Sequence, residues 1–413
     1  MKDTEDAQAL IQTWLGEHAV RLDPDPYEPI PADAHRLAAV DALLDNARVI
    51  FLGELNHFVH EKAAFRLWWL RRLARRARLV VVEELGASDG RDVARYLADG
   101  DESHLDRLAT FGDRSHVRTD RDDQPTGVLR ASFDAYPTAL FKAEQSRFYR
   151  ALRELGRSRF YGIDIDVPGT GYADIHAARG QTNAVGIDTS FWTRLARVPG
   201  ESLTEEADRL TALRELLPEE GPLPDGIRAD LDAMIETLRY TALAHPALDY
   251  EALRPAMAYR ETAMKRRIEG ILHTLANDEV LVLMAHAFHV AKNDRTIRGT
   301  GVGPGGNQAH SLGHHIVQEL GFDVTSIWML YGAGKDSQPF PDLPQRANYP
   351  ATSLNAQLSR HGTPLVVPVG PGAGSALAND VGIGHMYNLV VPVHLPSQAD
   401  AIFFLPAVTP LQP

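Results

Sequence analysis

The sequence contains no cysteine, which excludes several kinds of chemistry. Without thiols a chain has no disulfides, no zinc–thiolate sites, no iron–sulfur clusters and no cysteine nucleophile. The sequence also lacks any apolar run near the roughly 20 residues that a membrane-spanning helix needs. Its start, MKDTED, lacks the basic segment and following apolar run of a signal peptide. We therefore expect a cytoplasmic protein that has no membrane partner.

A basic excess is also missing. The chain carries 42 Lys and Arg against 55 Asp and Glu, a net charge of −13. Nucleic-acid binders usually show the opposite balance, because contacts to phosphates dominate their affinity. We therefore expect no nucleic-acid partner. With 413 residues, 44% of them hydrophobic, the chain can form one large domain with an insertion, or two domains.

Short apolar runs alternate with longer amphipathic segments, which predicts an α/β fold with a largely parallel central sheet flanked by helices. Several runs are rich in Val and Ile and apolar on both faces, as in buried parallel strands. The predicted strands are residues 48–52, 79–82, 159–165, 279–284, 324–329, 364–369 and 401–405. A helix over 58–77 carries several arginines, which indicates a solvated basic face.

The strand pattern disappears between residues 168 and 255, where 203–217 and 225–245 have the pattern of amphipathic helices. We expect residues 1–167 and 256–413 to form an α/β core domain, and 168–255 to form a helical insertion over the carboxyl ends of the strands, as a lid or cleft wall. A G-x-G-x-x-G run at 301–306 contains a proline and is predicted to be a loop rather than a dinucleotide-binding turn.

Acids and histidines lie at the ends of four predicted strands. They are Glu54 and His57 after 48–52, Glu83 and Glu84 after 79–82, Asp164 and Asp166 at the end of 159–165, and His286 and His289 after 279–284. Ligands of open α/β sheets bind outside the carboxyl ends of the strands. If the strands are parallel, we expect these groups to converge in one crevice.

Each of these groups also has a structural interpretation. Glu54 can orient His57 for taking a proton from water, or it can cap a helix beside a satisfied histidine. Glu83 and Glu84 are adjacent on a strand and point to opposite faces, so we expect at most one to face the cleft. Asp164 can contribute to a cation site or pair with an arginine.

Two further catalytic arrangements remain open at this point. His286 and His289, together with His57 and an acid, have the residue types of a metal site, although H-x-x-H is not the H-E-x-x-H spacing of zinc proteases. The run at 86–90 is a literal G-x-S-x-G, which raises Ser88 as a nucleophile. Three residues separate it from the apolar run, however, and Ser88 or Asp89 is also a suitable helix N-cap.

Motifs spread over nearly the whole chain resemble the erythromycin esterase-like family, which takes in macrolide esterases and succinoglycan biosynthesis protein-like chains. They are, in order, Gly53-Glu54-Leu55-Asn56-His57, Arg66, Glu83 or Glu84, the segment 136–144, Tyr161-Gly162-Ile163-Asp164, Arg260 with Met264, His286 and His289, Gly313, Tyr331-Gly332, and the strand 401–404. Each motif is modest, and their joint order carries the resemblance.

The resemblance implies an α/β fold with a helical subdomain and a hydrolase that opens an ester or lactone without a metal or other cofactor. By position, His57 is the general base, with Glu54, His286 and Glu84 as the other catalytic groups. The substrate-binding residues that we assign are Arg66, His289, Arg260, Asp164 and His60. The implied partner is a small molecule, a lactone or ester natural product, and the oligomeric state is left open.

The sequence departs from the family pattern around both histidine motifs. Asn56 and Phe58 flank His57, where the family usually has a small residue before the histidine and glycine after it, and Ala287 replaces an asparagine. These departures leave the substrate open. Alternatives are a biosynthetic relative that uses the same site for elimination, cyclisation or acyl transfer, a metallohydrolase, a serine hydrolase, and a binding module for a natural product.

Overall fold

The computed structural model divides into two compact units. It describes residues 2–22, 34–45, 47–108, 137–156, 158–166, 191, 194–195, 198, 200–217, 222–244, 252, 254–297, 310–338, 344–370, 376–385 and 388–413. The first unit comprises 1–84, 139–159 and 268–413, and the second comprises 85–138 and 160–267. The predicted loop at 301–306 and most of the segment 168–200 lie outside the described residues.

A mainly parallel sheet forms the centre of the fold. The strands are β1 (Val20–Arg21), β2 (Val49–Glu54), β3 (Arg78–Gly86), β4 (Ser158–Asp164), β5 (Glu279–His286), β6 (Val324–Gly334), β7 (Leu365–Pro368), β8 (Val381–Gly384), β9 (Val390–Val393) and β10 (Ala401–Val408). In the first unit the order is β1-β7-β10-β6-β2-β5-β3, and β4 is the eighth strand of the sheet. β8 and β9 form a separate antiparallel pair.

Helices flank the sheet, so the predicted α/β fold class is confirmed. They are α1 (Lys2–His18), α2 (Ala34–Leu44), α3 (Glu61–Ala74), α4 (Ala87–Asp99), α5 (Ser103–Asp106), α6 (Thr138–Glu154), α7 (Leu203–Arg214), α8 (Pro222–Ala244), α9 (Arg254–His273), α10 (Leu312–His314) and α11 (Leu354–Ser359). Among the residues that the structure describes, no helix combines the length and apolar character needed to cross a membrane.

Burial on both faces explains why the central strands are apolar throughout. Every residue of β2 is buried, and β2 pairs in parallel with both β5 and β6. A strand covered on both faces has no polar side to alternate with, which is typical of parallel sheets. All seven predicted strands are present. The pair β8–β9 and the two-residue β1 were missed, because such short strands carry little pattern.

The second unit contains the two predicted amphipathic helices. α7 and α8 bury a shared cluster that includes Leu210, Leu213, Leu231 and Met234. The unit also takes in α4, α5 and most of α9, so it extends beyond the segment 168–255. A role of that segment as lid or cleft wall stays a prediction.

The prediction that the arginines of α3 form a solvated basic face is wrong in part. Arg66 and Arg72 are both buried, and each is bound to a carboxylate of the first unit. Long basic side chains can cover apolar surface with their stems, and here the heads are enclosed as well. Arg75, in contrast, is exposed at the end of the helix.

Gly334 at the end of β6 offers a test of the packing between β6 and β10. Its φ is +117°, and a Cβ there would lie 2.0 Å from the Val408 carbonyl oxygen, which belongs to the backbone and has no side-chain freedom to move away. We predict that Gly334→Ala lowers the free energy of unfolding by at least about 2 kcal/mol. Gly362, with φ of +66° and open space around it, is the matched control. Gly362→Ala should cost only about 1 kcal/mol. Equal urea midpoints for the two variants would contradict this account.

Candidate active site

Three strand ends of the first unit bring the predicted acids and histidines together. In the sheet register, Glu54 of β2 lies opposite His286 of β5, and Glu83 of β3 lies opposite Met284 of β5. Because these strands are parallel neighbours, their carboxyl ends meet at one edge of the sheet. The predicted convergence is therefore confirmed for β2, β3 and β5.

Glu54 and His57 form a hydrogen-bonded pair at this edge. His57 Nδ1 lies 3.1 Å from Glu54 Oε1. The Glu54 side chain is 1% exposed, whereas the His57 side chain is 17% exposed. The carboxylate is thus enclosed beneath a ring that solvent reaches, which is the arrangement required of a base and its orienting acid.

The Glu54 carboxyl is held in its ionised form. Burial alone would raise its pKa, but the charge of Arg66 and the hydrogen bond from His57 outweigh burial and lower the pKa from 4.5 to about 2. A carboxylate accepts hydrogen bonds and does not donate them. In a neutral His57 ring the proton therefore sits on Nδ1, and Nε2 carries the lone pair that can accept a proton.

Arg66 connects Glu54 of β2 to Glu83 of β3, which lies on the far side of β5. Its Nη1 donates to Glu83 Oε1 at 2.5 Å, and its Nη2 donates to Glu54 Oε1 and Oε2 at 3.1 and 3.2 Å. Tyr149 adds a hydrogen bond from its hydroxyl to Glu83 Oε2 at 3.0 Å. The Arg66 guanidinium is buried and bonded to two carboxylates, and its predicted role in substrate binding stays a prediction. Its contacts position Glu54.

The turn between β2 and α3 is fixed by Asn56. Its Nδ2 donates to the Tyr331 hydroxyl at 2.8 Å and to Asp336 Oδ2 at 2.7 Å, and its Oδ1 accepts from Phe58 N at 2.9 Å. Phe58 is fully buried and packs edge-to-face against Phe141 with ring centroids 5.5 Å apart. Asn56 and Phe58, which depart from the family pattern, therefore anchor the turn that carries His57.

Glu84 holds the end of β5 and the histidine motif that follows it. Its Oε2 accepts from the backbone N–H of His286 at 2.7 Å, and its Oε1 lies 3.3 Å from His289 Nε2. Glu83 and Glu84 thus point to different partners, as expected for adjacent strand residues. Glu83 contacts Arg66 and Glu84 contacts His289, so both glutamates bind residues of the candidate site.

His286 and His385 form a histidine pair that sequence reasoning missed. Their Nε2 atoms are 2.9 Å apart, and His286 Nδ1 accepts from Phe288 N at 3.3 Å, which places the His286 proton on Nε2. Burial, together with the charges of His385 and His57, lowers the pKa of His286 well below 6.5, so His286 is neutral at pH 7. The signal was that His385 directly follows a strand, β8, which was too short to be predicted.

Lys62 is a second residue that the sequence analysis passed over. It is buried on α3, one helical turn before Arg66, and its Nζ lies 5.1 Å from the centre of the Phe141 ring. Burial and the like charge of Arg66 lower its pKa from 10.5 to about 8, and the nearby charges of Glu54, Glu83 and Glu84 oppose this effect. Lys62 is therefore mainly cationic at pH 7. The sequence signal that could have identified Lys62 was its four-residue spacing from Arg66, which places both side chains on one face of the helix.

His60 lies beside this cluster. Its Nδ1 is 2.5 Å from Glu144 Oε1, and Glu144 also accepts from Gln412 N at 2.8 Å. His60, Lys62 and Arg66 line a cavity of about 20 Å³. A space of this size holds about one water and is too small for a lactone. The predicted role of His60 in substrate binding stays a prediction.

The remaining predicted residues lie in the second unit. Arg260 binds Asp164 through two hydrogen bonds, Nε to Oδ1 at 2.7 Å and Nη2 to Oδ2 at 2.5 Å. The interpretation of Asp164 as the partner of an arginine is therefore confirmed. Substrate binding by Asp164 or Arg260 stays a prediction.

The structure corrects the reading of Ser88. β3 continues through Gly86 and α4 begins at Ala87, so the G-x-S-x-G run does follow its strand directly. Ser88 is not the N-cap, since that position is Gly86 and no side chain caps the helix there. Instead, the Ser88 hydroxyl donates to Asp166 Oδ2 at 2.5 Å and its backbone N–H donates to Oδ1 at 2.9 Å. Among the described residues, the groups bonded to the Ser88 hydroxyl are therefore Asp166 and Arg91, and neither is a histidine base.

No family model and no curated protein sequence matches the chain. Solved structures do match it. A Bacillus cereus protein is 16% identical over 98% of both chains with a TM-score of 0.64, and a succinoglycan biosynthesis protein is 13% identical over 98% of both with a TM-score of 0.63. An erythromycin esterase mutant in its open conformation is 16% identical over 94% of this chain and 97% of that one, with a TM-score of 0.60.

The chain has the erythromycin esterase fold. At identities of 13–16% the likeness shows the fold alone. The fold that the ordered motifs of the sequence predict is thereby confirmed.

The charge balance around Arg66 in this erythromycin esterase fold gives a pH-dependent prediction. The folded-state pKa of Glu54 is about 2, below its usual 4.5, so Glu54 contributes stability that is present above pH 4.5 and is lost as the pH falls through about 2. In Arg66→Met, burial is no longer opposed by Arg66 and raises the pKa of Glu54. We predict that this variant loses about 3–5 kcal/mol at pH 7. The loss should shrink toward pH 4, because the carboxyl then protonates.

Urea unfolding of wild type and variant between pH 7 and pH 4 measures this difference. Arg75→Met, at the exposed C-cap of the same helix, is the matched control and should cost less than about 0.5 kcal/mol. A stability difference for Arg66→Met that stays constant over this pH range would show that Glu54 does not depend on Arg66 for its charge.

Proposed function

We propose that this protein is a hydrolase that opens an ester or lactone bond by means of water activated at His57. The observation that carries the proposal is the 3.1 Å contact between His57 Nδ1 and the ionised Glu54 carboxylate. It leaves Nε2 of a partly exposed ring as the proton acceptor. A histidine used in this way works near neutral pH, where enzymes need a base that both takes and returns a proton.

The proposed reaction needs two proton transfers. His57 Nε2 takes a proton from water while the water oxygen forms a bond to the carbonyl carbon. Glu54 stabilises the imidazolium that results, as a buried carboxylate does beside a catalytic histidine. When the tetrahedral intermediate collapses, the C–O bond to the alkoxide breaks, and His57 returns the proton to the alkoxide oxygen. No metal takes part in these steps.

Other groups of the site support the charge that develops on the carbonyl oxygen. We assign oxyanion stabilisation to His289, whose ring is anchored by Glu84, with the cationic Lys62 as a further source of positive charge. Arg66 is a positioning residue, because its guanidinium is bonded to two carboxylates of the protein itself, those of Glu54 and Glu83. His286 is neutral and aligned by His385, so it shapes the wall next to His57 without adding charge.

A natural-product ester or lactone is the proposed substrate class. Support comes from the shared fold with an erythromycin esterase, together with the ordered motifs at Glu54, His57, His286 and His289. Arg260, Asp164 and His60 are proposed to contact the remainder of the substrate. Under this proposal the protein acts on a macrolide-like molecule, in resistance to such a compound or in the processing of another natural product.

Replacement of the base tests the mechanism. On a substrate found by mass-spectrometric screening of macrolides and other lactones, His57→Ala should lower kcat by at least about 10²-fold. Glu54→Gln keeps the shape of the side chain but removes its charge, and it should lower kcat by a comparable factor while KM changes little. Circular dichroism and melting curves control for folding. Normal turnover by a folded His57→Ala variant would eliminate His57 as the base.

A biosynthetic reaction at the same site is the second candidate. It is supported by the structural match to a succinoglycan biosynthesis protein. Here His57 would remove a carbon-bound proton for elimination, or deprotonate a substrate hydroxyl for cyclisation or acyl transfer.

The source of oxygen in the product separates the two candidates. In ¹⁸O-labelled water, hydrolysis must place one labelled oxygen in the carboxylate product, because the water oxygen forms the new bond to carbon. Elimination, cyclisation and acyl transfer to a hydroxyl incorporate no solvent oxygen. Product without label, formed by wild type and not by His57→Ala, would replace the hydrolase proposal by the second candidate.

A further inference from the structure

A second group of ionisable side chains lies in the first unit, apart from the candidate active site. Asp294, His310 and His314 each offer one metal-ligand atom, and these atoms lie within 4.8 Å of one another. In the described part of the chain, theirs is the one group of three with this spacing. His57, His286 and His289, which the sequence analysis considered as metal ligands, are not part of such a group.

The distances in this cluster suit a small metal ion. His310 Nδ1 lies 3.2 Å from Asp294 Oδ2, and His314 Nδ1 lies 3.3 Å from Asp294 Oδ1. Zinc binds nitrogen and carboxylate oxygen at about 2.0–2.2 Å in a tetrahedron, which puts neighbouring ligand atoms about 3.3–3.6 Å apart. Each histidine nitrogen therefore lies at about this spacing from one carboxylate oxygen of Asp294, His310 from Oδ2 and His314 from Oδ1.

Burial and orientation indicate that the cluster is prepared for a ligand. The Asp294 side chain is 0% exposed, and its Oδ2 accepts from the backbone N–H of Ser311 at 2.9 Å. A hydrogen bond of this kind fixes the direction of a ligating carboxylate. His314 is buried, and among the described residues its Nδ1 has no hydrogen-bond partner, although it lies 3.3 Å from Asp294 Oδ1. A buried nitrogen that is left unsatisfied is costly, and a metal ion would satisfy it.

We propose that Asp294, His310 and His314 bind a divalent transition-metal ion, with zinc as the best match. Two imidazoles and one carboxylate are ligands that zinc accepts, and the fourth position is left to water. A bound ion lies in the plane of each imidazole that ligates it, so the two rings, stacked with centroids 4.1 Å apart and planes 14° apart, must rotate to share one ion. This site is independent of the chemistry proposed at His57.

The ion would have a structural role next to the active site. It joins the turn at Asp294 to the start of α10, where Gly313 N donates to the His289 carbonyl oxygen at 2.8 Å and Ser311 Oγ donates to the Ala291 carbonyl oxygen at 3.0 Å. α10 is thus bonded directly to the segment that carries His289. Bound zinc would fix that segment through α10.

Titration of the full-length, tag-free protein with metal tests the site. After chelator treatment and dialysis, isothermal titration with ZnCl₂ should show one tight site. Co²⁺ in its place should give the visible absorption of a tetrahedral complex. His310→Ala should weaken zinc binding at least about 100-fold, since even second-shell changes cost 10–100-fold. His18→Ala is the matched control, because the two side chains are similarly exposed, 42% and 41%. It should bind zinc as wild type does.

The His57→Ala variant distinguishes this site from the candidate active site. Zinc binding that survives in His57→Ala and is lost in His310→Ala supports the proposal. Loss in His57→Ala with retention in His310→Ala would place the ion at the active site and overturn it. Should His310→Ala fail to fold, histidine modification by diethyl pyrocarbonate on the wild-type chain gives the same answer. Zinc should protect His310 and leave His18 reactive, and equal reaction of His310 with and without zinc would overturn the proposal.

Discussion

The ion-pair bridge from Glu83 through Arg66 to Glu54 is the constraint on which the rest of the candidate site depends. Two carboxylates are buried at the ends of β2 and β3, and both are bonded to Arg66. Burial raises the pKa of Glu54, but the charge of Arg66 and the hydrogen bond from His57 outweigh burial and lower it. Because Arg66 keeps Glu54 ionised, Glu54 can fix the tautomer of His57. A single buried guanidinium thus links the packing of α3 on the sheet to the protonation state of the proposed base.

The parallel sheet places these groups without any one of them being close in sequence. Glu54 and His286 are opposite each other in the register of β2 and β5, although 232 positions separate them, and Glu84 reaches the backbone of His286 from the end of β3. The polar groups lie where the strands end, and the strands themselves are buried and apolar. The apolar strands therefore form the core, whereas Glu54 and Arg66 at the strand ends contribute both to stability and to the site.

Much of this arrangement could be predicted from the sequence. The apolar runs located the strands, and the acid or histidine after each run located Glu54, Glu84 and His286, because strand ends in a parallel sheet are neighbours. The burial of Arg66 could not be predicted, since the predicted helix over 58–77 also contains Arg75 and Arg76, which are exposed. His385 follows a strand of four residues, too short to recognise, and its contact with His286 depends on tertiary packing alone.

The tautomer of His57 is the most direct test of the claim that Glu54 prepares this ring as a base. ¹⁵N NMR of histidine-labelled protein near pH 8, with the His57 signals assigned by comparison with His57→Ala, reports which ring nitrogen carries the proton. We expect the proton on Nδ1 and an unprotonated Nε2 in the wild type, and a loss of this preference in Glu54→Gln. A proton on Nε2 in the wild type would contradict the account, because the nitrogen that must accept the proton from water would already be occupied.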